Sequence, residues 1–194
     1  MQNTIREAKQ ALRNQVRAEL DRMEPGERAA ASARARAVLV GQALWKTAEE
    51  ILFFAPLPEE VDVWPLLIEA LSAGKRVALP RFVAETRTYE ARLIRDATTD
   101  LKAGHFGIRE PASHCAQLRS SRLDLILVPG VAFDLQGHRL GRGRGYYDQL
   151  LGLMPGTTCG VAFEKQIVDH VPVESHDVRL DFILTPQRWI EPKA

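Results

Sequence analysis

Four glycines fall within nine residues, at Gly137, Gly141, Gly143 and Gly145, with Arg139, Arg142 and Arg144 interleaved among them. An apolar run of strand type (125–129) comes before this segment, and a run that reads as helix (149–154) comes after it. The glycines are therefore expected between a strand and a helix. Glycine lets a backbone take positive φ and bring its N–H groups close to a ligand. Guanidinium forks match phosphate oxygens in two-point contacts. Together they predict a polyphosphate-binding turn at a helix start, where unpaired N–H groups and the helix dipole favour anions. No Gly-Lys-Ser/Thr ends the segment, so it is not a P-loop, and its last glycine comes one residue too early for the dinucleotide fingerprint. A charged surface turn is the alternative reading of the segment by itself.

The remainder of the chain alternates helical and strand patterns. Thr4 and Glu7 have capping-box spacing, and Ile5, Ala8, Leu12, Val16 and Leu20 then recur at helical intervals. Arg6, Lys9, Arg13 and Arg17 form a second row, about 100° round from the apolar stripe. That row is either a solvated basic face or the overhang of a cleft. Helices are predicted over 28–45, with its arginines facing water, and over 61–71; strands over 50–55, 77–82, 89–94, 123–128, 157–163 and 180–184. Glu59, Glu60 and Asp62 lie where a strand passes into a helix, and parallel sheets place ligand clefts at such crossovers. Glu59 and Asp62 read as acids placed for the helix dipole. The turn-rich span 96–118 reads as a long loop, and Phe106 or Tyr89 reads either as apolar surface for a flat substrate or as an ordinary core contact. This alternation, without repeats or a linker, predicts a single α/β domain over 1–194 with a mainly parallel sheet flanked by helices.

Composition narrows the classes further. A formal charge of +1 argues against a general nucleic-acid binder. Cys115 and Cys159 are too far apart to form a zinc-type pair by spacing. No leading apolar segment and no run of about 20 apolar residues appears, so a cytoplasmic enzyme without a membrane partner is expected.

The sequence from Val128 to Asp134, followed by Arg139 to Asp148, resembles the signature of the 5-formyltetrahydrofolate cyclo-ligases, also called methenyltetrahydrofolate synthetases. Further segments fit in order: 9–13, 60–62, 79–81, 107–111, Gln166 and 172–177. The resemblance implies a Rossmann-like three-layer fold and an ATP- and magnesium-dependent ligase that works on 5-formyltetrahydrofolate, as a monomer by expectation. It implies ATP contacts from Lys9, Gln10, Ala11, Leu12 and Arg13, and from Arg139, Leu140, Gly141, Arg142, Gly143, Arg144, Gly145, Tyr146 and Tyr147. Glu60 would bind the folate together with Arg142, Gly143, Arg144, Gly145 and Tyr146; Arg142, Arg144 and Tyr146 would serve catalysis. Asp148 and Asp177 would hold magnesium, which takes one or two protein carboxylates beside phosphate oxygens. Tyr146 and Tyr147 cannot face the same way on a helix, and Tyr146 is expected on the ligand side. The family often has tyrosine where this chain has Ala55, and glycine or lysine at the position of Arg144. A sugar-phosphate isomerase of similar architecture and a non-catalytic folate or nucleotide binder are the rival readings.

Overall fold

The computed structural model describes residues 2–104, 107–119, 122–174 and 177–192. Helices α1 (Gln2–Asp21), α2 (Pro25–Gly41) and α3 (Ala43–Thr47) precede β1 (Glu50–Leu52), α4 (Trp64–Ser72) and β2 (Arg76–Val83). Strands β3 (Thr88–Ile94), β4 (Leu101–Ala103), β5 (Arg109–Pro111), β6 (Leu123–Pro129), β7 (Ala132–Asp134) and β8 (Arg139–Leu140) then lead to α5 (Tyr146–Leu153). The chain finishes with β9 (Gly156–Val161), a 3₁₀ turn (Glu164–Gln166), β10 (Ile167–Val168), β11 (Phe182–Leu184) and β12 (Trp189–Ile190).

The main sheet has the order β12-β11-β9-β6-β1-β2-β3. Its five inner strands run parallel, and the edge strands β3 and β12 are antiparallel to their neighbours. Parallel strands are covered on both faces and so read as continuous apolar runs, as β6 does. Alternate residues divide between two cores. Ile51, Val77, Leu125, Leu127 and Cys159 pack with residues of α1 to α4 on one face. Leu52, Ala78, Ile126 and Val128 pack with Leu150 and Leu151 of α5 on the other. The result is the expected three-layer Rossmann-like arrangement, with α1 to α4 on one side of the sheet and α5 on the other.

Strand order fixes where a ligand can sit. From β1 the chain moves outward to β2 and β3, then returns to place β6 on the other side of β1. The crevice at the carboxyl ends of β1 and β6 is therefore the switch point at which open α/β sheets bind ligands. Residues 53–63 leave β1 there, and the glycine-rich segment follows β6.

Several sequence expectations change. The predicted helix 28–45 is two helices, because Gln42 takes an extended conformation (ψ 144°) between α2 and α3. Arg28 and Arg36 of α2 do not simply face water: they donate to the carbonyls of Leu20 and Asp62. Thr4 lies inside α1 and not at its cap. The helix predicted from 61 begins at Trp64, with Pro65 in its first turn, where a missing N–H costs nothing. Asp62 instead accepts the Trp64 N–H at 3.0 Å, and Glu59 lies well before the helix. The span 96–118 is not one loop, since it carries the antiparallel pair β4–β5. A small sheet, β10-β7-β8, takes in the start of the glycine segment, since β8 lies between Gly137 and Gly141.

One glycine in the sheet is required for packing. A Cβ on Gly160 would lie 2.6 Å from the ring of Phe133 and 2.8 Å from Leu180, both buried. Gly160→Ala is expected to lower unfolding free energy by about 1–3 kcal/mol, the usual cost of overpacking. Urea denaturation tests this; an unchanged midpoint would contradict the close packing.

Candidate active site

A cavity of about 1400 Å³ opens at the switch point and takes lining residues from α1, the β1–α4 crossover, β3 and the glycine segment. A single drug-sized ligand fills roughly 300–1,000 Å³, so this cleft has room for two substrates. Its glycine side is shaped by backbone conformation. Gly143 and Gly145 have φ of 98° and 68°, values that L side chains adopt at a cost, and Gly145 is the N-cap of α5. Gln166 braces the start of the segment: buried, it donates from Nε2 to the carbonyls of Gly130 at 2.8 Å and Val131 at 3.2 Å. Asp134 locks the β7–β8 turn, accepting N–H groups of Gln136, His138 and Val171. Burial alone would raise its carboxyl, but these hydrogen bonds and His138 hold it below the usual aspartate range.

The three arginines occupy different environments. Arg139 is 7% exposed and donates to Asp148 Oδ1 at 2.6 Å and to the Pro129 carbonyl at 3.3 Å. Its guanidinium also lies over the Tyr147 ring, 5.9 Å from the centroid. It therefore holds Asp148 and the floor of the segment in place. Arg142 reaches across the cleft, and its Nη2 donates to Glu59 Oε1 and to Glu60 Oε1, each at 2.9 Å. Arg144 is exposed at the rim.

Glu60 is the buried member of the acidic pair, its side chain 10% exposed against 37% for Glu59. Burial pushes its carboxyl above the ordinary 4.5, opposed by the Leu57 N–H and by Arg142. Glu59, read from sequence as a helix-start acid, instead faces the glycine segment. A second, smaller cavity of about 370 Å³ lies behind this contact and shares Glu60 and Arg142 with the large one.

On the α1 side, the basic row overhangs the cleft as one of its two sequence readings allows. Lys9 Nζ donates to Asp177 Oδ2 at 2.7 Å and Glu174 Oε2 at 2.8 Å. Burial works against this ammonium, yet the two carboxylates outweigh it and raise Lys9 above the usual lysine range. Arg13 Nε donates to the Gly141 carbonyl at 2.9 Å, tying the helix to the glycine segment. Gln10 also lines the cleft. Ala11 is exposed and Leu12 packs on the core, so helical periodicity takes both out of the cleft face.

An aromatic wall completes the cleft. Phe82 and Tyr89 are paired across the β2–β3 hairpin, and α5 packs against β3. Tyr146 meets Phe82 at 5.4 Å and Tyr89 at 5.5 Å between centroids. Tyr147 packs against both cores, and burial, with Glu60 nearby, raises its hydroxyl well above the tyrosine range. Both tyrosines border the cavity, but Tyr147 is the more structural of the two. Phe106 lies outside the described residues. Glu110 and Glu174, which the sequence did not single out, also line the cleft. Ala55 lines it too, so the space of the family's tyrosine is left to the cavity.

Comparison with known proteins bears on this cleft directly. Residues 5–186 match the model of the 5-formyltetrahydrofolate cyclo-ligase family. Proteins named 5-formyltetrahydrofolate cyclo-ligase are similar to the chain in mouse (28% identity, covering 93% of this chain and 95% of the other) and in Escherichia coli K12 (33%, covering 73% and 80%). The solution structure of Aquifex aeolicus 5,10-methenyltetrahydrofolate synthetase superposes with a TM-score of 0.85 at 31% identity, covering 96% of this chain and 93% of that one.

Proposed function

The chain belongs to the 5-formyltetrahydrofolate cyclo-ligase family, and on that premise we propose how its cleft carries out the reaction. The enzyme cyclises 5-formyltetrahydrofolate to 5,10-methenyltetrahydrofolate at the expense of ATP, releasing ADP and phosphate. A formyl amide oxygen is a poor leaving group. Transfer of the γ-phosphoryl group to that oxygen turns it into a good one; N10 then adds to the formyl carbon and releases its proton to solvent, and loss of phosphate leaves the methenyl bridge. No covalent enzyme nucleophile is needed. The protein must hold the formyl oxygen in line with the γ-phosphorus and neutralise charge.

The observation that carries this reading is the contact of Arg142 with Glu60, which joins the glycine segment to the substrate-side carboxylate inside one cleft. The triphosphate lies along Gly141, Gly143 and Gly145 at the N-terminus of α5, with Arg142 and Arg144 beside it. Lys9, Gln10 and Arg13 close the nucleotide side. Glu60 accepts N–H groups of the pterin, which stacks on Tyr146 and Tyr89. Arg142 leaves its carboxylates for phosphate as the substrates enter, so Glu60 is released where it is needed. Arg139 holds Asp148 and touches phosphate less than its place in the motif suggests.

Magnesium fits the donor set unequally. Asp148 borders the cavity and is committed through Oδ1 to Arg139. Asp177 Oδ2 accepts Lys9 and the Glu174 N–H, so this carboxylate is already engaged on the nucleotide side and a cation would share it with Lys9. When bound by these carboxylates, the ion would neutralise charge on the transferring phosphate. Asp148→Asn keeps an acceptor for Arg139 but removes the ligand charge. It is expected to raise the magnesium concentration for half-maximal turnover by about 10-fold and, because the buried Arg139 loses its counter-charge, to lower the thermal midpoint as well; an unchanged magnesium dependence would remove Asp148 from the metal site.

The enzyme acts as a cytoplasmic monomer on two small molecules, without a nucleic-acid partner. This reading draws on the small-molecule substrates, on a cleft built by one chain and on the near-neutral charge of +1. No described helix is long and apolar enough to cross a membrane. Mixing the protein with MgATP and 5-formyltetrahydrofolate, and following the methenyl chromophore, tests the assignment. Product forms only with both substrates; an isomerase would ignore the folate, and a binding protein would hold ligand without product.

A further inference from the structure

Away from the cleft, the segment after β5 brings three kinds of ligand atom together. One atom each from Asp100, His114 and Cys115 lies within 4.8 Å of the other two. His114 Nε2 is 2.9 Å from Asp100 Oδ1, and Cys115 Sγ donates to the Asp100 carbonyl at 3.4 Å. Asp100 is fixed from behind, its Oδ2 accepting the N–H groups of Arg95 at 2.7 Å and Asp96 at 3.1 Å. Cys115 is 4% exposed, whereas the His114 side chain is 62% exposed. The group is thus closed on the thiol side and open to solvent on the imidazole side.

We propose that Asp100, His114 and Cys115 form a binding site for a zinc-like divalent cation, independent of the catalytic cleft. Sulfur, imidazole nitrogen and carboxylate oxygen together are a borderline-soft donor set, which suits zinc and cobalt and not magnesium. Tetrahedral bonds of about 2.0–2.3 Å place ligand atoms roughly 3.3–3.8 Å apart. His114 Nε2 and Asp100 Oδ1 stand slightly closer than that range and Cys115 Sγ lies within 4.8 Å of the ligand atoms of both, so small movements of the exposed His114 ring complete the geometry without disturbing the core. On binding, the Cys115 thiol releases its proton to solvent and ligates as thiolate. Neutral His114 exchanges its Asp100 contact for the cation, and water fills the fourth position. The ion ties 112–115 to the turn at 96–100 across the β4–β5 pair. Ile108 and Glu110 of that region line the cleft, so occupancy stiffens one of its walls.

Cobalt(II) is the probe, added to the full chain in magnesium-free buffer with reduced thiols. The expected result is a thiolate-to-cobalt charge-transfer band that saturates at one ion per chain and is displaced by zinc. Cys115→Ser should abolish the band. His114→Ala, at an exposed position, should fold normally and weaken cobalt binding by about 10-fold or more. Cys159 is wholly buried in the sheet and supplies no competing thiolate. No band in the parent protein, a band that survives Cys115→Ser, or unchanged affinity in His114→Ala would each overturn the proposal.

Discussion

Glu60→Gln is expected to lower kcat/KM for 5-formyltetrahydrofolate by about 100-fold, the size of a lost charge-assisted hydrogen bond of roughly 1.5–3 kcal/mol. Glutamine keeps the volume and one acceptor, so the β1–α4 crossover should hold its shape. The loss should fall mainly on the folate and leave the KM for ATP within a few-fold. The pH profile supplies a second readout. Burial raises the Glu60 carboxyl above 4.5, so the acid limb of kcat/KM should lie above the ordinary carboxylate range. The sign for stability is the reverse of the usual acid. Between 4.5 and its folded value the native state binds more protons at this site than the unfolded chain, so this group's contribution falls as pH rises. Glu60→Gln should remove both the acid limb and that slope. Wild-type-like folate kinetics in the variant would take Glu60 out of the substrate site.

Arg139→Ala is expected to cost about 3 kcal/mol of stability. Its guanidinium is the partner of Asp148 at 2.6 Å, and removing one member of a buried pair leaves the other charge uncompensated, at roughly 3–5 kcal/mol. The lower end applies because the Asp148 side chain is 22% exposed. The contact with the Tyr147 ring is lost as well. If the uncompensated charge dominates, adding Asp148→Asn to Arg139→Ala should recover much of the loss in a double-mutant cycle. Strictly additive effects in denaturant melts would mean that the two side chains do not act as a pair.

What could be read from the sequence follows from how each feature is encoded. The inner strand β6 was visible because a strand covered on both faces is a continuous apolar run, and the glycine segment because its backbone demands are local. Lys9 and Arg13 were visible as a row, since helical period alone puts them on one face. Strand order was not legible, because periodicity says which residues are buried and nothing about which strands pair. For the same reason the sequence does not show Phe82 and Tyr89 as one wall: the antiparallel turn of β2 into β3 sets them opposite each other. The role of Glu59 is hidden because the sequence pattern places the helix start at 61, although Pro65 marks its first turn. Strands β7 and β8 are too short to show alternation, and only Gly137 with φ of 89° hints at the turn between them. The pairing of Arg142 with Glu60 joins residues 82 positions apart and has no local signature. The cluster of Asp100, His114 and Cys115 is hidden for the same reason, since spacing tests compare only near neighbours.

The central claim is that both substrates meet at the turn between Gly141 and Gly145. A crystal structure with a non-hydrolysable MgATP analogue and 5-formyltetrahydrofolate tests it most directly. The expected result is the triphosphate against the N-terminus of α5, the pterin at Glu60, and Arg142 moved from Glu59 and Glu60 onto phosphate. Nucleotide bound elsewhere, with Arg142 still joined to the two glutamates, would contradict it.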